Sequence, residues 1–149
     1  MDKDDIRKAL TKHWQDVSVQ SNCSGFLAAV ANDLGVKGLQ GLRANDQIDY
    51  ISQHWDPIET AAIAEHDAAN GAFVVAVLKA SEHADNRTEG HVAIVLPGPL
   101  QARGKGDTGG SYPLVWCAGG KGGKSDGTLT VGDVWRPADR NHVHYYKYR

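Results

Sequence analysis

Only two cysteines, Cys23 and Cys117, occur in 149 residues. That scarcity excludes a disulfide scaffold and leaves room for one bridge at most. No uninterrupted apolar run approaches the ~18 residues of a bilayer span, so no membrane insertion is expected. The opening stretch MDKDDIRKAL has neither an apolar segment nor a small-residue cleavage site, so no secretory signal peptide is expected. Net charge is also small, at −2, which gives no global attraction to nucleic acid. The chain has 41% hydrophobic and 23% charged residues, as ordinary globular proteins do. Its length fits one domain over 1–149, with a core that needs no metal or disulfide. The charge is uneven. Residues 1–100 carry eight Lys and Arg against fourteen Asp and Glu, whereas residues 101–149 carry eight against four. A basic C-terminal third could help hold an acidic substrate, but solvated loop lysines are the plainer account of it.

Helical patterns come first along the chain. Ile6, Leu10, Trp14 and Val17 share one stripe over 4–17, with Asp2 or Asp4 as cap. A second helix is predicted to start at Cys23, capped by Ser21 or Asn22 and stopped at Gly35. A third, over 45–55, turns Ile48, Ile51 and Trp55 inward, and IETAAIAEHDAANG reads as a fourth, closed by Gly71. Strand patterns follow: AFVVAVLK (72–79), HVAIVL (91–96, ending at Pro97-Gly98-Pro99), YPLVWCA (112–118) and HVHYYKY (142–148). The glycine-rich stretches QARGKGDTGGS and GGKGGKSDG are expected as loops. Helices first and strands afterwards imply an α+β domain with a mostly antiparallel sheet. No internal repeat interrupts it.

Cys23 stands between small polar residues at the head of an apolar run, SNCSGFLAAV. Helical offsets put it on one face with Leu27, Val30 and Leu34, directed at the sheet. At a helix's first turn, free backbone N–H groups and the dipole favour a thiolate and are expected to lower the thiol pKa from about 8.5. The same amides can receive an oxyanion, here the backbone N–H of Cys23. Ser24 and Gly25 are small enough to let a substrate backbone approach. A buried, inert cysteine is the competing reading.

A nucleophilic thiol needs a base, and seven histidines are present. His13, His54, His66 and His83 lie in helical or polar-loop contexts and are expected at the surface. His142 and His144, two apart on the last strand, have the spacing of a metal pair, but no carboxylate or cysteine nearby completes a ligand set. No metal or cofactor is expected. His91 follows Gly90 and opens an apolar strand, so its ring projects from a sheet's end. Facing a helix-start cysteine, it would form the thiolate–imidazolium arrangement of papain-like enzymes. A half-exposed histidine that merely begins a strand is the alternative.

Four blocks, NCSGFLAAVANDLGV, GHVAIVLPGPL, YPLVWCAGG and VGDVWRPADRNHVHYYKY, resemble in that order the type VI secretion amidase effectors of family 1. These are NlpC/P60-like peptidoglycan amidases with a papain-like core. The likeness runs from Asn22 to Tyr148 and is weakest before residue 20 and over 101–111. It implies a nucleophile helix packed on the sheet, Cys23 as nucleophile and His91 as general base and acid. Asn22, Ser24, Gly90 and Trp116 are the expected cleft residues. The strand after the histidine strand usually supplies a third polar group. Here that place holds Cys117, a poor orienting partner, so a backbone carbonyl is an alternative. The resemblance also implies the substrate, the γ-D-glutamyl–meso-diaminopimelate bond of the peptidoglycan peptide stem. It further implies synthesis in the producer's cytoplasm, delivery by a type VI apparatus to a rival's periplasm, a cognate immunity protein, and action as a monomer. A Cys-His protease or acyltransferase of related fold, or a binding module with a structural cysteine, are the other classes open.

AGGKGGKS (118–125) nearly fits the phosphate-loop pattern, with Ala118 for the first glycine. That loop must lead into a helix whose N-terminus holds the phosphates. DGTLTVGDVW follows instead, and nucleotide binding is rejected. A loop rimming a cleft, with lysines facing stem carboxylates, fits better.

Overall fold

In a computed structural model, the described residues are 1–16, 22–85, 87–96, 100–102, 111–119 and 123–149. Val17, Ser21, Pro97, Gly98, Pro99, Lys121 and most of the 101–111 loop lie outside them.

Four helices precede most of the sheet. Helix α1 (Lys3–Trp14) starts at Asp2, whose side chain accepts from the Asp5 N–H while Asp5 accepts from the Asp2 N–H. Helix α2 (Cys23–Asp33) is capped by Asn22, whose side-chain oxygen accepts from the Gly25 N–H at 3.1 Å. It ends where Gly35 takes a φ of 75°. There the Val36 N–H reaches the Ala31 carbonyl and the Gly35 N–H that of Asn32, closing a Schellman turn. Helix α3 (Ala44–His54) buries Ile48 and Ile51, and Trp55 behind it, as its periodicity predicts. Helix α4 (Ala61–Ala69) begins at Thr60, and Gly71 (φ 94°) follows it.

Six strands form one antiparallel sheet in the order β1-β8-β2-β3-β6-β7. They are β1 (Asp56–Ile58), β2 (Val74–Leu78), β3 (His91–Val95), β6 (Leu114–Cys117), β7 (Ser125–Thr130) and β8 (His144–Lys147). A separate ribbon pairs β4 (Gln101–Ala102) with β5 (Ser111–Tyr112), and a one-turn helix α5 (Val131–Val134) follows β7. Strands β1, β4 and β7 fall in segments whose glycine, proline or polar content reads as helix flank or loop. Strand β7 is bent, with Gly127 at a φ of 89° and a register shift in β6 between Val115 and Trp116. Ser125 opening a strand, not a helix, agrees with the rejection of a phosphate loop.

The sheet is covered on both faces, so β2 and β3 are buried at every position. Val75, Val77, Val92 and Ile94 meet Leu10, Phe26, Leu27, Val30, Ile48 and Ile51 of α1–α3. Val74, Ala76, Leu78, Ala93, Val95 and Cys117 face the other way, toward Ala64 and Ala68 of α4 and Val131 and Val134 of α5. Two-sided burial explains why both strands read as unbroken apolar runs with no polar alternation. Helix α2 lies on β3 and β6, as the α+β expectation requires.

Two histidine expectations change. His83 is buried (7% exposed), its Nδ1 2.8 Å from the Lys79 carbonyl, so it is not a surface residue. His142 ends a short 3-10 turn before β8, and only His144 lies on the strand, where it pairs with Glu82 at 2.7 Å. No group of three metal-ligating side chains occurs among the described residues.

Candidate active site

The Asn22 cap fixes how α2 begins. Its side-chain oxygen takes the Gly25 N–H and the Ser24 hydroxyl (2.8 Å), which leaves the N–H groups of Cys23 and Ser24 directed at the Cys23 sulfur. The third amide facing that sulfur is the N–H of Val92, from the first turn of pleat in β3. Val92 follows His91, so helix start and strand start meet at the 91–92 peptide.

His91 is 2% exposed. Its ring stands edge-on to Trp135 with centroids 5.0 Å apart, and its Nε2 is buried without a hydrogen-bond partner among the described residues. Burial first, and then the nearby charges of His83 and Arg87, push its pKa down from 6.5 to about 4; the Gly123 backbone opposes this. Burial likewise pushes the Cys23 thiol up, with a contribution from Glu89, although three amides oppose it. The expected lowering of that thiol is therefore overturned: desolvation outweighs the helix start. Both groups are neutral at rest.

A folded-state pKa near 4 makes the protein sensitive to acid. Between pH 6.5 and 4 the unfolded chain binds a proton at this ring that the folded chain excludes, so stability falls as pH falls through that window. The gap between the two values corresponds to about 3 kcal/mol. Urea unfolding at pH 7 and pH 4 should show a loss of that order in wild type beyond the loss in His91→Gln. Equal losses in the two proteins would refute the assignment.

Cys117 donates its thiol hydrogen to the Gly123 carbonyl at 3.3 Å. Burial drives its pKa upward, and the charge of Cys23 adds to the rise. Both cysteines are free thiols. Gly123 thus serves both the Cys117 thiol and the His91 ring. A side chain there would meet Val134 backbone atoms from 2.6 Å, so the close approach requires glycine.

The other expected cleft residues divide. Ser24 and Gly90 flank the site in sequence, and Gly90 presses so closely on Asn45 and the Leu78 carbonyl that a Cβ would lie 2.8 Å from each. Asn22 is engaged as the cap of α2. Trp116 packs at right angles to Trp14 with centroids 5.7 Å apart, beside the cluster that holds Cys23, and its Nε1 is buried without a partner among the described residues. Lys124 stands 5.3 Å from the Trp14 ring centre. The residues that sequence reasoning passed over are Gly123, Trp135 and His83. Trp135 lay in the fourth resembling block, where nothing in its spacing tied it to His91.

A helix-start cysteine packed on an antiparallel sheet, with a histidine opening one of its strands, follows the order of a papain-like hydrolase; here the Cys23 sulfur meets the 91–92 peptide, while the His91 ring lies with Gly123 and Trp135. No model of a protein family matches the chain. It is 40% identical over 131 residues to the peptidoglycan amidase Tse1 of Pseudomonas aeruginosa strain PAO1, which spans 87% of this chain and 76% of that protein. The chain belongs to the Tse1 family of peptidoglycan amidases, the family of the four-block resemblance, and is an enzyme of the hydrolase class.

Proposed function

We propose that the chain is a single amidase domain that hydrolyses the γ-D-glutamyl–meso-diaminopimelate bond of Gram-negative peptide stems through Cys23 and His91. The observation that carries this reading is the meeting of the Cys23 sulfur with the amide beside His91. As the sulfur attacks the amide carbonyl, the neutral His91 ring takes the thiol proton. The oxyanion forms against the Cys23 N–H at the start of α2. His91 returns its proton to the leaving amine, the C–N bond breaks, and a thioester remains. Water, deprotonated by His91, then attacks the thioester and releases the acid and the thiol. The Gly123 carbonyl holds the ring from behind, and Cys117 stands in the third position through that same carbonyl. Trp116 and Ser24 line the approach.

The Tse1 relationship supports the substrate class, and the Lys124 ammonium beside Trp14 suits a stem rich in carboxylates. The same relationship supports delivery by a type VI apparatus from the producer's cytoplasm to a rival's periplasm, and a cognate immunity protein that plugs the cleft. The enzyme acts as a monomer and needs no cofactor. Purified Gram-negative sacculi, digested with the protein and analysed by mass, should release fragments ending in D-glutamate and beginning with diaminopimelate. Fragments cut at another bond would remove this specificity and leave an amidase of different target.

A further inference from the structure

Helix α3 touches both halves of the site without contributing a reacting group. Gln47 is fully buried, and its side-chain nitrogen donates to the Ser24 carbonyl at 2.9 Å and to the Leu39 carbonyl at 3.1 Å. Ser24 is the residue after Cys23, and its N–H is one of those facing the sulfur. Two residues earlier on the helix, the Asn45 side-chain oxygen accepts from the Ala80 N–H at 3.0 Å, and its nitrogen lies 3.5 Å from the Thr88 carbonyl. Those two groups sit at opposite ends of the segment that connects β2 to β3. Gly90, the residue before His91, lies against Asn45 and Ile48 with no room for a side chain.

The cost of this arrangement argues for a role beyond packing. The Gln47 Oε1 is buried without a partner among the described residues, a penalty that a methionine or leucine of similar volume would not carry. With that orphan acceptor, the favourable interactions of the amide are its two donated hydrogen bonds. Both end on backbone carbonyls, one at the nucleophile's turn and one in the connection between α2 and α3.

We propose that Gln47 and Asn45 are positioning residues of the hydrolase: from one end of α3 they fix the Ser24 turn and the ends of the β2–β3 connection, and so hold the Cys23 sulfur in place against the peptide that joins His91 to Val92. This rests on the Cys23–His91 reading. Proton transfer and attack are steep functions of geometry, and a displacement of about 1 Å lowers rate by up to about 100-fold without weakening substrate binding.

The test uses the full chain and a soluble stem peptide. Gln47→Met keeps the volume and removes both donors. It should lower kcat at least about tenfold, leave KM within about twofold, and slow iodoacetamide alkylation of Cys23, followed by mass at that residue. Val143→Ala, in the opposite core, is the control for lost stability: it should melt earlier yet keep wild-type kcat. Should Gln47→Met fail to fold, Asn45→Ala, at a half-exposed position, carries the test with the same expected split between kcat and KM. Wild-type kcat and alkylation in whichever variant folds would overturn the proposal. Cys23→Ala run alongside separates the two failures. An active Cys23→Ala removes the hydrolase reading, whereas an inactive one beside a fully active Gln47→Met removes only the role of α3.

Discussion

Cys23→Ala is expected to release no stem fragments from sacculi above background, a loss of about 10⁴-fold or more. In the proposed mechanism the sulfur forms the thioester, and no neighbouring group described is placed to replace it. Cys117, the other thiol, is buried in the opposite core, bonded to Gly123, and pushed far toward its protonated form. Ser24 has its hydroxyl committed to the Asn22 cap. The substitution removes one partly buried atom at a helix start, so folding should survive and circular dichroism should match wild type. Digestion at the wild-type rate by the variant would end the assignment. Because the resting thiol is neutral, Cys23 should alkylate slowly at pH 6 and faster as pH rises toward 9, a profile that a helix-start thiolate of low pKa would not show.

His91→Gln should lower kcat by about 10³-fold with little change in KM. Glutamine retains a polar side chain of similar reach but neither accepts the thiol proton nor returns it to the leaving amine. The enzyme should then be stalled before the thioester, so no acyl-enzyme mass accumulates on Cys23. A general-base ring with a pKa near 4 stays competent in mild acid. Wild-type activity, measured before any unfolding, should therefore persist at pH 5, where an unperturbed histidine would already be protonated. A wild-type rate in His91→Gln, or loss of wild-type activity centred near pH 6.5, would count against this histidine as the base.

The candidate site was legible because its two proposed reacting groups sit at punctuation points. Cys23 follows a capping asparagine, and His91 follows a glycine at the head of an apolar run. Such positions are visible in sequence because caps and glycines mark where elements begin. The environment of those groups was not legible. Whether a helix-start thiol is lowered by its amides or raised by burial depends on what covers it. Here α2 lies on β3 and β6, with Trp14 and Trp116 packed beside the same cluster. The partners of His91 come from Gly123 and Trp135, dozens of residues away and on either side of β7. Strand β7 itself was hidden because Gly127 and Asp126 interrupt its pattern. A bulge, not alternation, sets its path. Gln47 was passed over although it lies four residues before Ile51, on the flank of the inward face of α3, because an amide there carries no catalytic signal in sequence.

The sheet is finished on one side by β1, three residues with Pro57 at the centre, and on the other by β7, kinked at Gly127. A proline lacks the N–H that an incoming chain would need, and a kink breaks the straight ladder it would follow. Neither border offers a template for docking a second copy by β-augmentation. A second copy or a partner strand is therefore disfavoured as an extension of this six-stranded sheet at either border.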